Sequence, residues 1–314
     1  MLPFRVVYHE DYDLHLGAHV FPSQKFRLIR DALLATGLAG AEDFLIPEPA
    51  DDADVLRVHT EAWVDKLLHD KLTLTERMRL EIARSPETVR AFWLAAGGSI
   101  LAGQRALQDG FAANLTGGFH HAYANHGEGF CMIHDVAIAI RRLQSDGAIR
   151  TAIVVDTDVH QGNGTAAIFS GDPSVFTLSI HQENNYPAPK EFSDLDIGLE
   201  DRTGDDEYLS RLEKGLVAPL EKFQPDIAFY VGGADPYRED QLGGLALTIE
   251  GLEARDRIVF EQLRKRGVPI AMTLAGGYAR RVDDTVRIHV NTIRAAAEIA
   301  RRERPTPQTN PRLV

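Results

Sequence analysis

The stretch Ile153-Val154-Val155-Asp156-Thr157-Asp158-Val159-His160-Gln161-Gly162-Asn163-Gly164-Thr165 constrains the fold more than any other part of the chain. It opens as a β-branched apolar run, the signature of a strand buried in a parallel sheet. It then sets Asp156, Asp158 and His160 at alternate positions. Alternate residues of a strand share a face, so the three are expected to point the same way for as long as extended backbone persists. A glycine-containing turn follows, and Ala166-Ala167-Ile168-Phe169 predicts the next helix. A lone aspartate here would be read as a helix cap. Two carboxylates and an imidazole at the exit of an apolar strand are costly to bury unless they share a cation.

Composition narrows the class. The 314 residues are 44% hydrophobic and 25% charged, as in a globular enzyme. No apolar run approaches the roughly 20 residues that span a bilayer, and the N-terminus lacks a signal-peptide core, so a cytoplasmic location is expected. Cys131 is the single cysteine, which excludes an internal disulfide framework and a CxxC zinc motif. A net charge of −12 and the lack of a basic stripe argue against nucleic acid as a partner. The charge suits a cationic substrate.

Strands are predicted at Phe4–Tyr8, Phe111–Leu115, Thr151–Val155, Val175–Ser179, Ile227–Val231 and Pro269–Leu274. Helices are predicted from Ser23, as N-cap, to about Thr36, as two short segments around His59 within Asp51–Asp70, and from Pro86 to a stop at Gly110. Gly97 and Gly98 inside that long helix are expected to allow close packing. Further helices are predicted at Asp135–Gln144, Asp206–Phe223, Thr248–Lys265 and Val282–Ala300. Alternating strands and helices predict an α/β fold: a single domain, residues 1–304, with a mainly parallel β-sheet covered by helices on both faces. The tail, 305–314, is expected to fray. Polar clusters follow at least four strands, and ligand sites in open α/β sheets lie outside the carboxyl ends of the strands. Topology therefore brings these clusters together.

Asp158 and His160, with Asp235 as third ligand, would hold a metal and leave a position open, the pattern of a catalytic site. His120 and His121 follow a Gly-Gly turn and offer acid–base chemistry near neutral pH. Asp156 could accept from one imidazole and Asn163 could hold the other without adding charge. Tyr278, at a second Gly-Gly turn, could donate to a developing oxyanion.

These segments, Gly117-Gly118-Phe119-His120-His121-Ala122, Gly129-Phe130-Cys131, Asp156 to Gly164, Gly233-Ala234-Asp235 and Ala275-Gly276-Gly277-Tyr278, occur in the order and context of the zinc-dependent histone deacetylase family. The chain resembles that family from about Tyr8 to Ile299. The His-Gln-Gly-Asn form and Gly204-Asp205-Asp206-Glu207-Tyr208 are most similar to its short class IV branch, beside bacterial deacetylase-like amidohydrolases. The resemblance implies an arginase/deacetylase-like fold and one zinc on Asp158, His160 and Asp235. It implies His121 as general base oriented by Asn163, His120 paired with Asp156, and Tyr278 polarising the scissile carbonyl. Phe130 with Gly129, and Tyr186, would wall an acyl-lysine tunnel. Asp156, Ser179 and Ile180 resemble a structural potassium site. Beside neutral Asn163, His121 is expected to have the lower proton affinity; beside anionic Asp156, His120 the higher.

The chain departs from some branches at Gln161 and Asn163, which replace His and Asp, and it offers no match to a rim aspartate used by some relatives. The expected activity is removal of acetyl or longer acyl groups from lysine side chains of a protein or peptide, or from related small amines. An acetylpolyamine amidohydrolase and an arginase-like dimanganese ureohydrolase are the alternatives. Charge and composition predict no nucleic-acid or membrane partner, and an oligomer is possible.

Overall fold

The structure is a computed structural model that describes residues 1–303; the tail at 305–314 lies outside the described residues. Its strands are β1 (Arg5–Val7), β2 (Phe44–Leu45), β3 (Phe111–Asn114), β4 (Ala152–Asp156), β5 (Val175–Gln182), β6 (Leu195–Leu199), β7 (Ile227–Val231) and β8 (Ile270–Thr273). They form one sheet in the order β2-β1-β3-β8-β7-β4-β5-β6, with every neighbouring pair parallel. The four central strands, β3, β8, β7 and β4, are buried at every residue. That explains why they read as unbroken apolar runs rather than alternating patterns: both faces are covered.

The helices are α1 (Lys25–Ala35), α2 (Asp52–Val55), α3 (Glu61–Leu68), α4 (Leu74–Leu80), α5 (Pro86–Asp109), α6 (Asp135–Ser145), α7 (Asn163–Phe169), α8 (Asp205–Lys222), α9 (Ile249–Arg264) and α10 (Val282–Glu303). α5 packs on α6, β3 and β8, while α1, α10, α9 and α8 pack in series. α5 starts where its sequence says: Pro86 occupies the first turn, the Ser85 hydroxyl accepts from the Thr88 amide at 3.0 Å, and Gly110 ends the helix at φ +83°. A Cβ at Gly97 would overlap the Glu48 carbonyl, and one at Gly98 the Tyr12 hydroxyl and the Asn114 amide. The two glycines allow the close approach expected of them.

Three expectations need correcting. Ser23 does not cap α1; Gln24 holds the cap position without a side-chain bond, and the Ser23 hydroxyl donates instead to the Asp13 carboxylate, a stronger acceptor. Three elements were not predicted. β2 is two residues long. β6 sits half-exposed at the sheet edge. α4 carries a capping box in which Thr73 and Glu76 bond each other's backbone amides. Finally, extended backbone stops at Asp156. Beyond it the chain turns on its own carboxylates: the Asp158 amide donates to Asp156 Oδ1 at 3.1 Å and the His160 amide to Asp158 Oδ1 at 3.0 Å. Such Asx turns compete with a ladder, so Asp156, Asp158 and His160 do not share a strand face.

Candidate active site

The carboxyl ends of the four central strands deliver the chemistry. β4 leads into Asp156, Asp158 and His160, β7 into Asp235, β3 into His120 and His121, and β8 into Tyr278. Because these strands are adjacent, their exits converge outside one end of the sheet.

Asp158, His160 and Asp235 are buried, and one potential ligand atom from each lies within 4.8 Å of the others. His160 Nδ1 is 3.1 Å from Asp158 Oδ1 and 3.5 Å from Asp235 Oδ2. Backbone amides orient both carboxylates: Val159 donates to Asp235 Oδ1 at 2.8 Å and Gly276 to Asp158 Oδ2 at 3.0 Å. A Cβ at Gly276 would overlap both carboxylates, so the β8 exit can close on them only as glycine. Asp235 Oδ2 is buried without a hydrogen-bond partner, a costly condition for a carboxylate oxygen. Burial and the neighbouring Asp158 push Asp235 upward. Burial would lower His160, but Asp158 and Asp235 reverse this and raise it to about 10. The two carboxylates draw positive charge to this buried place, and a divalent cation on these three side chains would supply it in place of the imidazole proton. Among the described residues this is the one such cluster.

The two adjacent histidines have different partners. His120 Nδ1 meets Asp156 Oδ2 at 2.6 Å, and His121 Nδ1 meets Asn163 Oδ1 at 2.7 Å. The Asn163 amide is oriented by its other end: Nδ2 donates to Glu128 Oε1 at 2.7 Å and to the Tyr123 hydroxyl at 3.2 Å. Its carbonyl therefore faces His121 and can only accept, which puts the His121 proton on Nδ1 and the lone pair on Nε2. Burial lowers His120, but Asp156 and Asp158 outweigh it and raise this histidine to about 9. Burial first, then repulsion from His120 and His160, hold His121 well below its usual value. The expected order of basicity holds, but its cause differs: the bond to Asn163 raises His121 slightly, and desolvation sets the direction.

Tyr278 is buried, and burial together with Asp235 and Asp158 pushes its hydroxyl well above the usual value, so it remains a neutral donor. Phe130 stands 6.0 Å from Tyr278, centroid to centroid, and 5.2 Å from His19. It takes a left-handed conformation at φ +68°, directly after Gly129 at φ +52°. Strain of this kind in a non-glycine residue persists where the surroundings over-determine it. Tyr186 stacks edge-on to His121 at 4.9 Å and donates to Glu128 Oε1 at 2.6 Å. Phe21, Phe26, His120, His121, Phe130 and Tyr278 are among the residues around one small cavity of about 30 Å³ that reaches Asp158. Ser179 and Ile180 lie on β5, with Ser179 in register with Asp156 and its hydroxyl 2.9 Å from His181 Nδ1.

Several residues at the site were not predicted. The Asp135 carboxylate accepts from the Gly118 and Phe119 amides at 3.1 and 2.8 Å and so holds the turn before His120. Asp240 accepts from the Tyr278 amide at 2.7 Å. Lys25, buried on α1, donates to the Ala275 carbonyl at 2.5 Å; burial lowers it to about 8 against the pull of Asp235. Each lies far in sequence from the group it holds. A lysine inside an amphipathic helix pattern is ordinarily read as solvent-facing.

The profile of the histone deacetylase domain matches residues 19–293. The chain belongs to the histone deacetylase family. It is 41% identical to an uncharacterised protein of Picosynechococcus over 94% of this chain and 99% of that one. It is 30% identical to histone deacetylase 2 of Arabidopsis thaliana over 88% and 74% of the two chains, and 31% identical to a probable deacetylase of Methanothermobacter thermautotrophicus over 87% and 85%. A crystallised histone deacetylase homologue in complex with SAHA superposes with a TM-score of 0.80 at 25% identity, covering 96% of this chain and 85% of that one. The protein is a histone deacetylase-family hydrolase of amide bonds on the deacetylase α/β fold. Among the described residues no helix is long and apolar enough to cross a membrane.

Proposed function

We propose that this histone deacetylase-family hydrolase is a zinc-dependent deacylase that removes acetyl or longer acyl groups from lysine side chains or related amines. The observation that carries this reading is the meeting of Asp158, His160 and Asp235 with His120, His121 and Tyr278 at one buried place. Asp158, His160 and Asp235 would hold the ion. A bound divalent ion supplies Lewis acidity toward the scissile carbonyl and the attacking water.

The remaining steps belong to the chain. His121 takes the proton of the water at Nε2, because its Nδ1 proton is committed to Asn163. His120, kept protonated by Asp156, presents positive charge toward the negative charge that develops. Tyr278 donates its hydroxyl to the carbonyl oxygen as that oxygen becomes an oxyanion. His121 then returns its proton to the departing amine. Phe130, Gly129 and Tyr186 would line the path of the acyl-amine stem, excluding water. The register of Asp156 with Ser179 supports keeping Asp156, Ser179 and Ile180 as a potassium site. A cytoplasmic location is part of the same proposal, as is the single catalytic domain.

A second reading, deacetylation of polyamines, draws support from two carboxylates, Glu128 and Glu191, that stand beside Tyr186 and Tyr123. A dinuclear ureohydrolase needs further metal ligands; Asp156 is instead paired with His120. The test is a panel of acyl-lysine peptides, acetylated polyamines and guanidino compounds, with metal analysis of the same sample. Turnover of the acyl amines with one metal per chain is expected. Turnover of a guanidino substrate alone, with two metals, would overturn the proposal.

A further inference from the structure

A buried ion pair lies beneath the metal cluster, and the proposed chemistry makes no use of it. Arg255 and Asp256, consecutive on α9, are both fully buried. Well-packed apolar residues in place of such a pair are often as stable or more so, so its presence asks for a reason other than stability. Its bonds supply one. Arg255 Nη1 donates to two backbone carbonyls, Thr157 at 3.2 Å and Gly233 at 2.6 Å. Thr157 separates Asp156 from Asp158 on the β4 exit. Gly233 lies two residues before Asp235 on the β7 exit. One guanidinium therefore joins the two loops that carry all three candidate ligands.

The guanidinium is itself held. Nε and Nη2 donate to Asp256 Oδ1 at 2.9 and 2.8 Å. Asp256 also accepts from the Tyr230 hydroxyl and from Thr292 of α10, each at 2.5 Å. The Tyr230 hydroxyl accepts in turn from Thr157 Oγ1 at 3.0 Å, which closes the frame on the β4 exit. The backbone adds one bond across the same gap, from the Thr157 amide to the Val231 carbonyl at 3.0 Å. The loops are already at contact: a Cβ on Gly233 would overlap Asp158 and crowd Asp235 Oδ1. Any slackening between Thr157 and Gly233 would change the separation of Asp158 from Asp235.

We propose that Arg255 is a positioning residue of the metal site, tying the β4 exit to the β7 exit so that Asp158, His160 and Asp235 are held at the spacing one ion requires. This rests on the metal site proposed above. Groups that orient metal ligands from outside the coordination shell change metal affinity by about 10–100-fold when removed. A lysine at 255 keeps the charge but not the fork, and cannot serve two carbonyls and Asp256 together.

The test uses the full chain loaded with Zn²⁺ or Co²⁺ alone. Zinc affinity is read by competition with a chromophoric chelator, and ligand geometry by the visible absorption of the Co²⁺ form. Arg255→Lys should weaken Zn²⁺ binding about 10–100-fold and alter the Co²⁺ band. Tyr230→Phe, which loses the hydroxyl linking Thr157 to Asp256 without stranding a charge, should shift both in the same direction by less. Leu263→Ala, a core truncation on the same helix, should lower Tm and move neither. Unchanged affinity and spectrum in a folded Arg255→Lys would overturn the proposal. If that variant does not fold, unchanged values in Tyr230→Phe overturn it. A wild type that binds neither ion would instead remove the metal site itself, an outcome distinct from both.

Discussion

Asp158, His160 and Asp235 at the floor of the site and Phe130 and Tyr186 toward its rim are held by different forces. The floor residues are at most 8% exposed, take backbone hydrogen bonds from two other strand exits, and press on glycines that admit no side chain. The rim rests on ring contacts and a few side-chain bonds. A close-packed floor cannot change one residue without disturbing the others. The rim has fewer such ties. On the function proposed above, the close-packed floor fixes the reaction, whereas the rim side chains would set which acyl amine enters.

The largest effects should come from the floor. Asp158→Ala, His160→Ala and Asp235→Ala should each abolish turnover and lose the metal, measured as metal content beside activity. Full metal retention in any of them would break the ligand assignment. One step up, Tyr278→Phe should reduce kcat by about 10²–10³-fold, as for removal of one oxyanion donor, with metal content unchanged. His121→Ala should fall within about 10²–10⁴-fold, the scale of general acid–base catalysis, and should cost more than His120→Ala. The reverse order would reassign the base.

Glu128 joins the two regions, since one carboxylate oxygen accepts from both Asn163 and Tyr186. Glu128→Gln keeps an acceptor but loses the charge. It should lower kcat/KM about tenfold, the scale of one charge-assisted hydrogen bond. Tm should hardly change. The smallest effect belongs to the rim. Tyr186→Phe, which keeps the ring and loses the hydroxyl bonded to Glu128, should leave Tm and kcat nearly unchanged and act on KM between acyl-lysine peptides. A drop in kcat there would erase the distinction between floor and rim.

The sheet and the floor were legible in sequence because each central strand is an apolar run closed by chemically distinctive residues. Asp158, His160 and Asp235 needed only the rule that strand exits converge. The supports were not legible. Lys25, Arg255 and Asp256 are charged residues inside helical patterns, where burial contradicts the usual expectation, and each acts on a segment remote in the chain. Asp135 stands at a helix start and Asp240 in a loop, where an aspartate carries no sequence signal of the amides it holds. β6 was missed because an edge strand buries only part of its short run. α4, by contrast, could have been read from its Thr73 and Glu76 capping pair.

On the function proposed above, an ion held by Asp158, His160 and Asp235 drives amide hydrolysis in a domain whose fold does not depend on it. The most direct test follows acetyl-lysine peptide turnover, metal content and far-UV circular dichroism together through chelation and readdition of zinc. Turnover should vanish on chelation with the folded signal intact, because a large apolar core does not need the ion as a zinc finger does, and one equivalent of zinc should restore it. Turnover that persists in the metal-depleted protein would contradict the account.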